Sequence, residues 1–439
     1  MSKIALKSLS WMTFGQLSRT VISVLVTIAL ARYIGVQGYG ALSFALVVVG
    51  MAKVGITLGM QNIVIRGILE GGDWKNLVFN SIFLQILAAL VALIVVLGAT
   101  YLLIENSESR TLIYILSISL LLQPLQVIAY KFEATLDQKF ISISLLVGSL
   151  VGGAAKVGAI YLQANMATIV FLFLLEYAVS TFILIVFYYR SNQKIFSGVL
   201  DTSLLKKILS DSWPYFLGSF AVMLYTYTDT IMINYFLSLD RLGNYAIAAR
   251  LSDMWHILPI AITSTALPFL FSEKQNKSSP GEKDSFQRLH NIMVYISYTW
   301  ILIVFCIGTP TILVVFGDSY VGATQVILPF SFISLFYALG VASSKWYLLE
   351  GLQKMTLWRN LFGASVNILL NIYLIPEFGI QGAAYGTLLA FLSANYLYDL
   401  FDSRTRNLFM VKTKSLFLVF LFSDAILLKK WFGDRRKKN

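Results

Sequence analysis

The chain has 439 residues, 57% of them hydrophobic and 13% charged, with a mean hydropathy of +0.74. This composition is typical of a polytopic membrane protein. The single cysteine, Cys306, excludes a disulfide framework, and the two histidines, His256 and His290, are too few and too far apart for a His-ligated metal centre. We therefore predict no metal and no cofactor. The net charge of +12 does not indicate a nucleic-acid partner, because the basic residues follow the membrane topology.

The first predicted span combines a membrane-crossing length with an embedded charge. Residues 12–31 number about 20, which at about 1.5 Å per residue is enough to cross a hydrocarbon layer of about 30 Å. Polar residues recur every three to four positions along one face, as at Gln16, Arg19 and Ser23. Because an arginine at the centre of a span costs roughly 2.5–3.5 kcal/mol, Arg19 is predicted to face protein or a water-filled cavity.

Hydropathy predicts an all-α fold with about twelve membrane spans, each a run of about 17 or more mostly apolar residues. The predicted spans are 12–31, 41–59, 77–103, 112–130, 141–162, 166–188, 213–237, 246–271, 292–316, 325–348, 358–375 and 380–401. The apolar stretch 416–428 is too short to cross comfortably. We expect it to form an interfacial helix, with a plain cytoplasmic anchor as the alternative.

The basic residues assign an orientation to these spans. If the N-terminus is cytoplasmic, the cytoplasmic segments carry 25 Lys and Arg residues, whereas the opposite loops carry three. The positive-inside rule therefore places both termini in the cytoplasm. The other six basic residues lie within the spans.

A repeated segment relates the two halves of the chain. YIGVQGYGALSFAL at 33–46 resembles LDRLGNYAIAARL at 239–251. In this alignment the Gly and Tyr residues of the two turns correspond, Gly38 with Gly243 and Tyr39 with Tyr245. The Tyr offset also places Ser23 over Asp229, so these two side chains are predicted to face each other across a cavity.

The repeat predicts two six-helix bundles of the same orientation, related by an axis along the membrane normal. The N-terminal bundle is residues 1–188 and the C-terminal bundle is residues 213–401. Residues 189–212 are predicted to be a cytoplasmic linker, and residues 402–439 a basic cytoplasmic tail.

Nine charged residues lie within the predicted spans. If they faced lipid they would cost about 20 to 30 kcal/mol, more than a typical net stability of about 5–15 kcal/mol. Most must therefore line a shared cavity. The basic residues, predicted to bind substrate, are Arg19, Lys53, Lys156, Arg250, Lys345 and Arg359, and the acidic candidates for ion coupling are Asp229, Glu176 and Asp253.

Six basic residues against three acidic ones predict a cationic cavity for an anionic substrate such as a pyrophosphate. Other interpretations remain open. Lys345 and Arg359 lie near helix ends and could snorkel to the interface. Arg250 and Asp253 could form a local ion pair, and Glu176 could be a neutral carboxylic acid in the core.

Polar residues at helical spacing mark further faces, including Lys53, Thr57 and Gln61 in one helix and Asn360, Asn367 and Asn371 in another. Tyr225, Tyr227 and Tyr337 are candidates for stacking on a sugar, with core packing as the alternative. The predicted periplasmic loops are all short. A membrane polymerase or ligase would need a large periplasmic loop, so the chain is predicted not to be an enzyme.

Six segments spread over the whole chain carry a resemblance to a known family. They are ARYIGVQGYG (31–40), WPYFLGSF…YTDTIMINYFL (213–237), LGNYAIAARL (242–251), LPIAITSTALPFLFSE (258–273), GDSYVGATQVILPF (317–330) and NILLNIYLIPEFGIQGAAYGT (367–387). In this order and spacing the chain resembles the Wzx-type O-antigen and polysaccharide flippases. These form the polysaccharide transporter branch of the multidrug/oligosaccharidyl-lipid/polysaccharide exporter (MOP) superfamily.

The resemblance implies two six-helix bundles around a central cavity that moves undecaprenyl-pyrophosphate-linked repeat units by alternating access. Movement would be from the cytoplasmic to the periplasmic leaflet of the bacterial inner membrane and driven by an ion gradient. The implied partners are the lipid-linked oligosaccharide, membrane lipids, and the polymerase and chain-length proteins of the same pathway. A multidrug or cation antiporter and a lipid II flippase are the alternatives, and lipid II flippases typically carry fourteen spans.

Overall fold

The computed structural model describes residues 3–190, 198–275 and 282–418, and builds them from α-helices and three 3₁₀ segments. The first half contains α1 (Lys3–Thr57), α2 (Gln61–Leu69), α3 (Trp74–Leu103), α4 (Ser107–Ser117), α5 (Val127–Ala134), α6 (Gln138–Tyr161) and α7 (Met166–Arg190). A 3₁₀ segment, Ile118–Gln126, joins α4 to α5, so these three pieces form one continuous rod at the fourth predicted span.

The second half repeats this pattern of long helices. It contains α8 (Thr202–Phe236), α9 (Leu239–Trp255), α10 (Ile257–Gln275), α11 (Glu282–Phe316), α12 (Ile327–Leu349) and α13 (Gln353–Asn395), followed by α14 (Arg406–Leu418). The other two 3₁₀ segments are Asp318–Gln325, before α12, and Leu397–Leu400, after α13.

Two of the longest helices break at a glycine. The backbone of α1 leaves the helical region at Gly35 (φ 69°, ψ 177°), and that of α13 leaves it at Gly379 (φ 59°, ψ −139°). Both positive φ values are favourable for glycine and costly for residues with a Cβ. Each break falls between two predicted spans, so α1 and α13 each supply two of them.

The membrane-spanning class is confirmed by length and composition. In the described ranges eight helical stretches are long and apolar enough to cross a membrane, and the bent stretch Thr202–Phe236 makes nine. Two of the eight, Ser10–Leu69 and Lys354–Leu400, have 60 and 47 residues and contain the glycine breaks. Counting these two twice, and α9 with α10 as one crossing, yields the twelve predicted spans.

The repeated segments contact each other where the two halves cross. A Cβ on Gly40 would overlap the carbonyl group of Leu239, and a Cβ on Gly243 would overlap the carbonyl group of Val36. This reciprocal contact is what a two-fold relation between the halves produces. It pairs Gly243 with Gly40 rather than with Gly38, so the register of the predicted alignment is wrong.

Two further contacts join the halves near this crossing. Arg32 in α1 donates hydrogen bonds to the carbonyl oxygens of Val314 (2.5 Å) and Val315 (2.7 Å) in the last turn of α11. The Tyr320 hydroxyl donates to the carbonyl oxygen of Ala31 at 2.9 Å. The cation complements the negative end of the α11 dipole, which favours this contact.

The part of the predicted linker that lies in the described residues is fixed to α3. The Asn80 amide donates to the carbonyl oxygen of Val199 (2.9 Å) and accepts from the backbone N–H of Asp201 (3.0 Å). Asp201 then caps α8, and hydrogen bonds from Ser203 and Leu204 lower the pKa of its carboxyl group. The helix of the seventh predicted span, α8, therefore begins at Thr202, eleven residues before the predicted start of that span. The division into two bundles stays a prediction.

The tail packs against the second half in a way that its basic composition did not indicate. Lys412 of α14 is fully buried and donates to the Asp399 carboxylate and, at 2.6 Å, to the carbonyl oxygen of Asn395. The tail, predicted to be basic and cytoplasmic with an interfacial helix, thus contributes a buried ion pair. Most of the predicted interfacial helix 416–428 lies outside the described residues.

Candidate substrate cavity

A cavity of about 980 Å³ lies between the two halves of the described chain. Its walls come mainly from α1, α6 and α7 in the first half and from α8, α9 and α12 in the second. Seven of the nine predicted site residues line it, namely Arg19, Lys53, Lys156, Glu176, Asp229, Arg250 and Asp253. Most of the embedded charges therefore line one cavity, and their roles in substrate binding and ion coupling stay predictions.

The other two predicted site residues lie elsewhere. Neither Lys345 nor Arg359 is among the residues that line the cavity. Arg359 is buried in the second half, where its guanidinium donates to the carbonyl oxygen of Gly340 (3.3 Å) and the hydroxyl of Ser344 (3.1 Å). Its predicted place in the cavity was wrong, because the guanidinium lies inside the bundle, where α12 supplies acceptors to two of its three nitrogens and the buried Nε has no partner in the described residues.

The predicted excess of positive charge in the cavity is also wrong as a count. Glu133, which the sequence placed beyond the end of a span, lines the cavity as well and accepts from the Gln61 amide at 2.8 Å. Four basic and four acidic residues therefore line the cavity. These eight residues differ in whether another side chain of the protein already forms an ion pair or hydrogen bond with their charged group.

Lys156 and Glu176 neutralise each other. The Lys156 ammonium donates to the Glu176 carboxylate, and its side chain is only 3% exposed. It also lies 3.7 Å from the centroid of the Phe173 ring. The close approach of α6 and α7 depends on Gly152, because a Cβ there would contact the Glu176 side chain. Lys156 therefore lines the cavity wall with its charge neutralised by Glu176.

Two other cations of the first half, Arg19 and Lys53, line the cavity. Within the described ranges neither forms an ion pair, and the Arg19 side chain is exposed to the cavity. The Lys53 ammonium lies 4.0 Å from the centroid of the Tyr177 ring. The Tyr177 hydroxyl donates to Gln123 at 2.6 Å, which fixes the ring in place. A cation over an aromatic face keeps its charge available to a ligand.

Arg250 joins the two halves across the cavity. Its guanidinium, on α9, donates to the Ser23 hydroxyl on α1. Ser23 therefore contacts Arg250 instead of facing Asp229, as the sequence offset had predicted.

Asp229 is buried at the edge of the cavity in a set of neutral donors. Its carboxylate is 5% exposed and accepts from Tyr245 (2.6 Å), Asn367 (3.0 Å), Asn371 (2.5 Å) and Thr387. In the described part of the chain it forms no ion pair. The polar stripe predicted from Asn360, Asn367 and Asn371 thus includes two residues, Asn367 and Asn371, that donate hydrogen bonds to this carboxylate.

The second half also contributes an aromatic and acidic surface. Asp253 is 61% exposed at its side chain, and its carboxylate lies 3.3 Å from His256 Nδ1. The His256 ring stacks on Tyr337, with centroids 3.7 Å apart and planes at 22°. All three residues line the cavity. The sequence indicated Tyr337 as a stacking candidate and did not indicate His256, which lies at the break between α9 and α10.

The fold is that of solved transporters of the MOP superfamily. The chain aligns with the lipid II flippase MurJ, in an inward closed conformation, at a TM-score of 0.74 and 14% identity, covering 93% of this chain and 91% of MurJ. It aligns with an outward-facing multidrug resistance MATE family transporter at a TM-score of 0.65 and 13% identity, covering 94% and 98%. The predicted all-α, MATE-like architecture is confirmed.

Residues 5–274 match the family described as polysaccharide biosynthesis protein, and the chain belongs to that family. It is also 30% identical over 182 residues to the probable flippase AglR of Haloferax volcanii. That match covers 38% of this chain and 36% of AglR, so the chain spans about a third of that relative's length. These relatives are flippases and transporters, which agrees with the prediction that the chain is not an enzyme.

Proposed function

We propose that the protein is a flippase for an undecaprenyl-pyrophosphate-linked oligosaccharide, such as an O-antigen unit or the precursor of a related surface polysaccharide. It moves this lipid from the cytoplasmic to the outer leaflet of the bacterial inner membrane by alternating access. The observation that carries the proposal is the pair of unpaired cations, Arg19 and Lys53, in a cavity of about 980 Å³ between the two halves. The family, described as polysaccharide biosynthesis protein, supports a saccharide-bearing substrate, and the name of AglR, a probable flippase, supports the type of transport.

The cations fit the pyrophosphate part of such a lipid. An arginine fork binds phosphate oxygens bidentately, and a lysine acts as a mobile point charge beside it. The Lys53 ammonium lies over the Tyr177 ring and forms no ion pair in the described residues. It can therefore bind an anion without first breaking a contact with a carboxylate. The volume is at the upper end of the range of about 300–1,000 Å³ that is common for ligand pockets, which suits a polar headgroup whose polyprenyl tail stays in the lipid.

The contacts between the halves fit alternating access. Gly40, Arg32 and Tyr320 all join the halves around the repeated segments. The sequence predicts that these segments lie on the periplasmic side. Opening to that side would break these contacts, and none of them is covalent, so they act as a closed outer gate.

Asp229 is the proposed site of ion coupling. A buried carboxylate surrounded by neutral donors needs a proton or a cation to balance its charge. The side-chain oxygens of Asn367 and Asn371 are buried and have no hydrogen-bond partner in the described part of the chain. Rotating both amides would turn these oxygens toward Asp229, and such an oxygen set suits a hard cation such as Na⁺.

The function is tested by transport of undecaprenyl-pyrophosphate-linked saccharide in proteoliposomes. We expect Arg19→Ala and Lys53→Ala to lower the transport rate at least tenfold, because each removes a phosphate contact. Lys345→Ala is the matched control, since Lys345 lies outside the cavity. Equal rates for Lys53→Ala and Lys345→Ala would overturn the proposal.

The coupling ion is tested by imposing gradients across the same proteoliposomes. We expect a Na⁺ gradient to stimulate transport by the wild type and to have no effect on Asp229→Asn. Asp240→Asn, a change at an exposed aspartate outside the cavity, should keep the stimulation. Stimulation by a pH gradient alone would make the proton the ligand of Asp229, and stimulation of Asp229→Asn would exclude this residue.

A multidrug or cation antiporter is the second candidate. Asp253 favours it, because an exposed carboxylate in the cavity could bind an organic cation. This function predicts that expression of the chain lowers the accumulation of cationic dyes in cells and that Asp253→Asn abolishes the effect. A lipid II flippase shares the pyrophosphate chemistry, and is distinguished by which lipid-linked saccharide is transported.

A further inference from the structure

The two walls of the cavity differ in chemistry. The first half presents the unpaired cations Arg19 and Lys53. The second half presents the Asp253 carboxylate beside the stacked rings of His256 and Tyr337. A pyrophosphate would be attracted to the first wall and repelled by the exposed carboxylate of the second. The second wall is therefore suited to a neutral part of the ligand.

The second wall has the chemistry of a sugar-binding surface. A sugar ring is amphipathic, with C–H groups that pack on aromatic rings and hydroxyl groups that donate to carboxylates. Tyr337 is held in place from two sides, because His256 stacks on it and the Phe391 ring lies 6.4 Å away. Asp253 is exposed next to this stack, with Oδ1 3.3 Å from His256 Nδ1, so its Oδ2 atom can accept from a ligand.

We infer that Asp253, His256 and Tyr337 form a subsite for the first sugar of the lipid-linked substrate, opposite the phosphate-binding wall. This inference rests on the proposed function. It adds that the second half of the chain is the part that recognises the saccharide. The substrate is then bound at two points, the pyrophosphate by Arg19 and Lys53 and the sugar by the second half. Specificity for the saccharide resides in the second half.

Arg250 lies between the two walls. It is one turn before Asp253 on α9 and donates to Ser23 on α1, so it is positioned where the pyrophosphate joins the sugar. A ligand that bridges the walls would contact both halves at once. Recognition of the sugar would then be linked to the closing of the halves around it.

The inference is tested by binding two probes to the full chain in lipid nanodiscs. One probe is undecaprenyl pyrophosphate, and the other is the same lipid carrying a single N-acetylhexosamine. The wild type is expected to bind the second probe more tightly. Tyr337→Ala and Asp253→Asn should each weaken binding of the sugar-bearing probe about tenfold and leave that of the sugar-free probe within about twofold, as expected from the loss of an aromatic or hydrogen-bonding contact.

Two further variants distinguish the possible failures. Lys53→Ala should weaken both probes equally, and Tyr373→Ala, at an exposed tyrosine outside the cavity, should weaken neither. Because the Asp253 side chain is exposed, Asp253→Asn keeps the test decisive if Tyr337→Ala does not fold. If the wild type binds neither probe, the proposed function fails. If it binds both equally, or if Tyr337→Ala and Asp253→Asn weaken both alike, only the sugar subsite fails.

Discussion

Lys156 in α6 is held by Glu176 in α7, and this pair removes a cation from the set that is free to bind substrate. The two side chains are 3% and 25% exposed, so the pair is largely shielded from water. Their charges were predicted to have separate roles, one in binding and one in ion coupling. A paired lysine is instead expected to stabilise the packing of the two helices.

The pair predicts an asymmetry between single and double variants. Lys156→Met leaves the Glu176 charge without its partner, and breaking a buried pair costs about 3–5 kcal/mol. Because Glu176 is one-quarter exposed, we expect the lower end of this range. Lys156→Met/Glu176→Gln should recover most of the loss, as measured by the unfolding temperature of the purified protein. The double variant should also keep transport, whereas a tenfold loss of transport at normal stability would make Lys156 a substrate ligand.

The crossing of the repeated segments predicts a position that does not tolerate a side chain. Gly40→Ala places a methyl group against the Leu239 carbonyl, and overpacking of this kind typically costs about 1–3 kcal/mol. We expect a lower unfolding temperature and slower transport. Gly98→Ala is the matched control, since a Cβ there meets nothing within 4 Å and alanine favours a helix. Similar unfolding temperatures for the two variants would show that the halves do not meet at Gly40.

Much of the architecture was predictable because lipid imposes one rule on every span. Backbone groups in the hydrocarbon must bond within their own helix, so a long apolar run predicts a helix. The same run does not predict where a helix continues past the membrane, as α8 does from Thr202. It also did not predict that residues 32–40, between two predicted spans, are helical apart from the break at Gly35, because that depends on backbone angles at a single residue.

The candidate site was predictable in its charges and not in their pairing. Lys53, Thr57 and Gln61 all line the cavity, although the helix that was predicted to hold them ends at Thr57 and Gln61 lies in α2. Helical spacing on one helix contains no information about its neighbour, so the partners of Lys156 and Asp229 could not be assigned. The predicted alignment of the repeat was two residues out at its glycines, and a repeat does not by itself state which side chains touch, so Ser23 contacts Arg250 and not Asp229.

The ion pair between Asp399 and Lys412 predicts that α14 is a structural part of the second half. Both side chains are fully buried, and the Tyr347 hydroxyl also donates to Asp399. Lys412→Met leaves a buried carboxylate unpaired, which typically costs about 3–5 kcal/mol, and Asp399→Asn in the same chain should restore most of it. The exposed pair Arg66 and Glu70 is the control, because an exposed pair contributes at most about 1 kcal/mol.

A double-mutant cycle on unfolding temperature should therefore show strong coupling for Asp399 and Lys412 and weak coupling for Arg66 and Glu70. Equal coupling in the two cycles would mean that α14 does not dock as described.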